Sequence, residues 1–134
     1  MLYRDVIKID TKTKNFYNIT ERISKVVQES TLRDGLCNIF LKGTTAAMLI
    51  NENDRMLVED FRKMLEFVAP DPEDKMYQHP ENAHSHIRSS LLHSTLTIPI
   101  ADGKLFLGEW QNILLFEFDV TPRERDIVIT LYGN

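Results

Sequence analysis

Four histidines, His79, His84, His86 and His93, fall within one short stretch of a chain that has no others. Imidazole is both a ligand for borderline metal ions and an acid or base near neutral pH, so the cluster marks a candidate polar site. In an extended segment His84 and His86 project from one face and can share an ion. In a helix, residues two apart diverge by about 200°, and the pair cannot chelate one ion. The helical reading favours a lone catalytic His86. His93, near a helix end, suits the helix dipole, and His79 reads as a solvated side chain in an acidic loop.

Glu52 follows the apolar run Leu49–Ile50 and Asn51, at an expected strand-to-helix junction. A carboxylate there works on a ligand or favours a helix N-terminus electrostatically. Thr44 and Thr45 beside Gly43 offer hydroxyls and backbone N–H groups to a phosphate, or simply satisfy a local turn. Ser89 and Ser90 after Arg88 carry the same two readings, with Arg88 adding an anion contact. Gly108–Glu109–Trp110–Gln111 opens an expected strand, as a core anchor followed by a surface amide or by a ligand-facing Gln111. Phosphate-loop, dinucleotide-binding, zinc-protease and serine-elbow motifs are missing, which removes the chemistries that depend on them.

The elements that must position these groups follow from periodicity. Tyr3 to Ile9 alternates as an edge or half-buried strand. Asn18 or Thr20 caps a helix carrying Ile19, Ile23, Val26 and Val27, and Gly35 is its expected stop. Leu36 to Leu41 and Thr45 to Ile50 are short apolar runs separated by Lys42–Gly43–Thr44. A second helix is expected from about Asp54 to Val68, with Met56, Leu57, Phe61, Met64, Leu65 and Val68 on one side. Pro70 and Pro72 end it. Residues 70 to 82 form a long polar loop, which favours a functional or lid role. Asn82 then caps a short helix whose Ala83, Ile87 and Leu91 share a face. Strands are expected at Thr95 to Ile100, Lys104 to Leu107, Trp110 to Phe118 and Asp126 to Tyr132, with Asp102–Gly103 as a hairpin turn. Helices among hairpin-linked strands imply an α+β fold with largely antiparallel sheet.

Length and composition bound the answer further. The 134 residues, 43% hydrophobic and 27% charged, suit one globular domain spanning 1–134. A chain of that size buries roughly two thirds of its unfolded surface and needs no metal or disulfide to fold. Cys37 is the only cysteine and reads as a buried small hydrophobe. No stretch approaches the ~18 apolar residues of a membrane span, and no signal-peptide core opens the chain. A cytoplasmic protein without membrane contact is the expectation. The net charge of −4 argues against sequence-independent nucleic-acid binding. Arg123 and Arg125, balanced by Glu124 and Asp126, read as solvated surface.

Several of these stretches, in order, resemble one family. Gly43–Thr44–Thr45–Ala46–Ala47 and Ile50–Asn51–Glu52 are similar to its threonine-alanine segment and following glutamate. Asn82 to Leu92 resembles its Asn-Ala-His-x-His segment. Leu96 to Ile100, Gly103, Leu107–Gly108, Trp110–Gln111 and Phe116–Glu117–Phe118–Asp119 resemble its C-terminal signature. The chain thus looks like a member of the YjbQ-like, or secondary thiamine-phosphate synthase, family. Gly43 stands where many members carry His, and Glu109 where a small residue or Thr is usual.

The resemblance implies layers of largely antiparallel sheet with two to three helices, a homo-oligomer in the form of a trimer, and weak thiamine-phosphate synthase-like activity. That reaction joins a pyrimidinylmethyl diphosphate to a thiazole phosphate and releases pyrophosphate, whose developing charge calls for N–H donors and a cation. On this reading Glu52 and His86 are the catalytic pair. Gly43, Thr44, Thr45, Arg88, Ser89 and Gln111 hold the phosphorylated small molecule. A divalent ion, Mg²⁺ or Zn²⁺, would take Glu52, His84 and His86. The alternatives are a metal- or phosphorylated-ligand-binding protein without catalysis, and an oligomeric interaction module.

Overall fold

A computed structural model describes residues 1–73 and 76–134; Asp74 and Lys75 of the expected polar loop lie outside the described residues. The chain opens with β1 (Leu2–Thr11) and β2 (Phe16–Asn18), followed by α1 (Thr20–Ser30). Next come β3 (Gly35–Lys42), β4 (Ala46–Asn51), α2 (Arg55–Val68) and α3 (Ala83–Leu91). The strands β5 (Thr95–Ala101), β6 (Lys104–Leu105), β7 (Asn112–Glu117) and β8 (Arg123–Gly133) complete it. The expected α+β class and antiparallel sheets are both present.

One sheet has the order β1-β8-β3-β5-β6 and the other β2-β7-β4, and every strand pair in them is antiparallel. The larger sheet turns Ile7, Ile9, Cys37, Ile39, Leu41, Ile98, Ile127 and Ile129 inward against α1 and the inner face of the smaller sheet. The outer face of the smaller sheet, Ala47, Leu49, Leu114 and Phe116, packs against Val58 and Leu65 of α2. β4 is therefore covered on both faces, which is why its sequence Ala46–Ala47–Met48–Leu49 is continuously apolar rather than alternating. Gly43–Thr44–Thr45 carries the chain from the larger sheet into the smaller one.

Burial accounts for Cys37 as expected, and pushes its thiol pKa up to about 12. Other local expectations change. α1 ends at Thr31, in the left-handed region with φ 60°, rather than at Gly35. Gly35 instead lies in β3 against β8, where a Cβ would collide with the Tyr132 carbonyl oxygen. α2 starts where expected, with the Asp54 side chain accepting from Met56 N–H and Leu57 N–H, but Met56, Met64 and Val68 face outward and Val58 and Leu65 face the sheet. α3 is turned over relative to its apolar pattern: Ile87 and Leu91 are exposed, while His84, Ser85 and Arg88 are buried with Ala83. Hydrogen bonds explain that inversion. Ser85 Oγ donates to the Phe118 carbonyl, Ser89 Oγ to Ala46, and Arg88 Nε to Ala69. Trp110, expected as a core anchor, is 66% exposed in the turn before β7. Among the described residues no helix is long and apolar enough to cross a membrane.

Candidate functional site

The turn between β3 and β4 and the outer side of α3 enclose a hollow of about 380 Å³ lined by Gly43, Thr44, His86, Ser89, Ser90 and Ser94. A second hollow, of about 350 Å³, is lined by Tyr77, Gln78, His79, Ala83, His86 and Ile87. His86 belongs to both. At the first hollow, the Gly43 and Thr44 N–H groups and the Thr44 hydroxyl make no hydrogen bond to the described residues. Consecutive free backbone donors of this kind suit an anion. Ser89 and Ser90 are spent differently, since their hydroxyl protons go to the carbonyls of Ala46 at 2.6 Å and His86 at 2.9 Å.

The structure thus brings Gly43, Thr44, His86 and Ser89 together and places the other expected residues elsewhere. Thr45 is buried, donating to Asp119 Oδ2 at 3.1 Å and accepting from Arg125 Nη2 at 2.7 Å. Arg88 runs beneath α3 to Ala69 O and to Asp71 Oδ1 at 3.2 Å, away from the hollow. Glu52 follows the far end of β4, where Asn51 pairs with Asn112, and Gln111 lies beside that same end, its Oε1 accepting from Gly108 N–H. The intervening strand rises ~3.3 Å per residue, which sets Glu52 about 20 Å from the Gly43–Thr45 turn. Within one chain Glu52 and His86 do not share a hollow.

His84 and His86 also part company, as helical spacing requires. His84 is 2% exposed, its Nε2 lies 3.6 Å from Asp71 Oδ1, and its Nδ1 has no partner among the described residues. Burial first, then the charge of Arg88, lowers its pKa, against a smaller upward pull from Asp71. Among the described residues no group of three or more His, Cys, Asp or Glu converges on a common point.

Beside the first hollow lies a polar network that sequence reading passed over. Arg125, far from being solvated, is 6% exposed and grips Glu117, which is 1% exposed. Thr11 Oγ1 and Asp119 N–H also donate to Glu117. Asp119 accepts in turn from Arg123 Nε at 2.7 Å, Asn82 Nδ2 at 3.3 Å and Thr45. Burial raises the Asp119 pKa, but hydrogen bonds from Val120 N–H, Arg123, Asn82 and Thr45 outweigh it and hold the carboxyl below its ordinary value. The signal was available in the strand period: Glu117 shares the phase of Ile113 and Leu115, and Arg125 that of Ile127 and Ile129. Gly43 belongs to this network too, since a Cβ there would sit 2.7 Å from Arg125 Nη1.

Comparison with known proteins agrees with this fold. The profile described as UPF0047 protein YjbQ-like matches residues 5–134. A UPF0047 protein of Methanothermobacter thermautotrophicus is 39% identical, over 87% of this chain and 82% of that protein. The fold of a YbjQ-like protein of unknown function from Sulfolobus solfataricus superposes with a TM-score of 0.93 at 31% identity, covering 100% of this chain and 99% of that one. An uncharacterized YjbQ/UPF0047 protein from Clostridium acetobutylicum gives 0.84 at 40% identity, over 94% and 99%. With a family profile spanning nearly the whole sequence and relatives matched over most of their length, this chain belongs to the UPF0047, YjbQ-like family.

Proposed function

We propose that the protein is a small-molecule transferase with weak thiamine-phosphate synthase-like activity that takes a phosphorylated substrate in the Gly43–His86 hollow. The observation that carries this reading is the pair of unpartnered N–H groups and the Thr44 hydroxyl beside His86. These are the donors a departing pyrophosphate needs while negative charge gathers on its oxygens. In the reaction the methylene carbon of the pyrimidine loses pyrophosphate and gains a bond to the thiazole nitrogen. His86 would contact the leaving group, and Mg²⁺ carried in with the diphosphate would share its charge.

The test is to incubate tag-free protein with Mg²⁺, the pyrimidinylmethyl diphosphate and the thiazole phosphate, and to quantify thiamine phosphate by thiochrome fluorescence. Product from the wild type and none from His86→Ala supports the transferase. A second reading, binding of a phosphorylated ligand without catalysis, is favoured by the position of Glu52 at the opposite end of β4. It predicts pyrophosphate binding that depends on His86 and no thiamine phosphate at all.

A homotrimer is proposed with the same family reading. It is supported by a bare row on the outer face of the larger sheet, where Leu2, Tyr132 and Leu36 are register neighbours, 60%, 66% and 51% exposed. Sedimentation equilibrium decides it, and a monomer at micromolar concentration removes the trimer.

A further inference from the structure

His79 is held by a relay that fixes its chemistry. Asn82 begins α3, yet its side chain makes no helix-cap hydrogen bond. Its Nδ2 donates to Asp119 Oδ1 at 3.3 Å, and its Oδ1 lies 3.1 Å from His79 Nε2. The carboxylate dictates the orientation of the amide, because a flipped Asn82 would set its oxygen against the Asp119 oxygen. With the Asn82 oxygen facing the imidazole, His79 must carry its proton on Nε2. Nδ1 is then left as the nitrogen with the free lone pair.

A carboxylate-anchored group that accepts the N–H of one imidazole nitrogen, leaving the other bare, is the outer-shell arrangement found around metal-ligating histidines. The neighbour of His79 strengthens that reading. The ring centroids of His79 and His86 are 4.9 Å apart, with an interplanar angle of 83°. Two imidazoles on one tetrahedral ion, each nitrogen ~2.0 Å from the metal, place their centroids about 5 Å apart. Both rings line the same hollow with Tyr77 and Gln78, so the site has an open approach. His84 plays no part, being buried on another side of α3.

We propose that His79 and His86 form a binding site for one borderline divalent transition-metal ion, Zn²⁺ being the type case, with His79 ligating through Nδ1 and held by Asn82 and Asp119. Two protein nitrogens leave the remaining coordination positions to water or to an anionic oxygen. Because His86 also lines the Gly43–Thr44 hollow, an ion here faces whatever anion that hollow takes. This ligand set shares only His86 with the Glu52, His84 and His86 set expected from sequence, and it joins residues that the fold brings together.

The experiment is a Zn²⁺ titration of chelator-stripped, tag-free protein against a chromophoric competitor. Electron paramagnetic resonance of the Cu²⁺-loaded protein then counts nitrogen ligands. One ion per chain is expected, with two imidazole nitrogens in the copper spectrum. His79→Gln and His86→Gln should each weaken Zn²⁺ at least tenfold and remove one nitrogen. Asn82→Ala should weaken it about tenfold or more through the lost outer shell, and His93→Gln should leave it unchanged. His79 is exposed, so its variant is expected to keep the wild-type circular dichroism and melting temperature. Zn²⁺ affinity equal in the wild type and the His79→Gln/His86→Gln double variant would overturn the site. So would affinity lost only with His84 or His93.

Discussion

Arg125 and Glu117 meet as a two-point ion pair inside the protein, with Nε 2.7 Å from Oε1 and Nη2 2.5 Å from Oε2. Thr11, Thr45 and the Asp119 N–H add further hydrogen bonds to the pair. A buried charge with every polar neighbour satisfied is tolerated, whereas one stripped of its partner is not. Arg125→Ala is therefore expected to destabilise by about 3–5 kcal/mol, read as a fall in the urea midpoint without a change in slope. Arg125→Lys should recover only part of that, because an ammonium cannot make the parallel pair of bonds. Wild-type stability in Arg125→Ala would mean that the pair is not buried in solution.

Gly43 tests the same network from outside. Its missing Cβ leaves room for Arg125 Nη1, and an added methyl would approach that atom to 2.7 Å. Arg125 cannot swing aside cheaply, since its Nε and Nη2 are committed to Glu117 and Thr45. Gly43→Ala is expected to cost about 1–3 kcal/mol, the range for crowding a packed site. Combined with Arg125→Ala the loss should be less than the sum of the two single changes, which a double-mutant cycle of denaturation curves will show. Removing the guanidinium relieves the crowding and leaves only the cost of a side chain at φ 158°. Additive losses would contradict the contact.

The elements were more legible in the sequence than the faces they present. Hydrophobic periodicity located most of the described strands and the three described helices, because that signal is local. The caps expected at Asn18 or Thr20 and at Asn82 are not made: Ile19 stands at the start of α1, and neither α1 nor α3 has a side-chain cap. β2, at Phe16–Asn18, escaped because its three residues are too short for a period. What inverted α3 was not local: Ser85, Ser89 and Arg88 find carbonyl partners on the segment after β7, on β4 and at the end of α2. Those bonds outweigh the apolar stripe of Ile87 and Leu91. At the candidate site, the residue types of Gly43, Thr44, His86 and Ser89 marked each as available to a ligand, and only the family resemblance grouped them. The position of Glu52 could not be read, since it depends on β4 running lengthwise between the two ends. Glu117 and Arg125 were readable from the phase they share with Leu115 and Ile127, but their charge suggested solvent.

His84 gives the protein an acid-sensitive element. Its pKa is lowered by burial and by Arg88, against the upward pull of Asp71, with Lys14 lowering it and Asp119 raising it further off. The unfolded chain therefore binds the proton first as pH falls. The stability contributed by neutral His84 is complete above the ordinary histidine value of about 6.5 and is lost as pH drops below it. Unfolding midpoints measured from pH 8 to pH 5 should decline for the wild type and decline less for His84→Phe, which cannot titrate. Parallel declines in the two proteins would assign the acid sensitivity to other groups.

Glu52 and His86 are separated along β4, and that separation makes opposite demands on ligand binding. If the Gly43–Thr44 donors and His86 hold phosphate within one chain, Glu52→Gln should leave pyrophosphate affinity within about twofold, a change of about 0.4 kcal/mol at most. His86→Ala and Thr44→Val should each weaken it by about tenfold, the loss of one hydrogen bond to a charged group being worth about 1.5 kcal/mol or more. Isothermal titration with pyrophosphate, with and without Mg²⁺, reads all three variants on one scale. A loss in Glu52→Gln that appears only with Mg²⁺ would place the carboxylate on the cation. The far end of β4 lies beyond reach of the hollow in its own chain, so that carboxylate would have to come from a second copy.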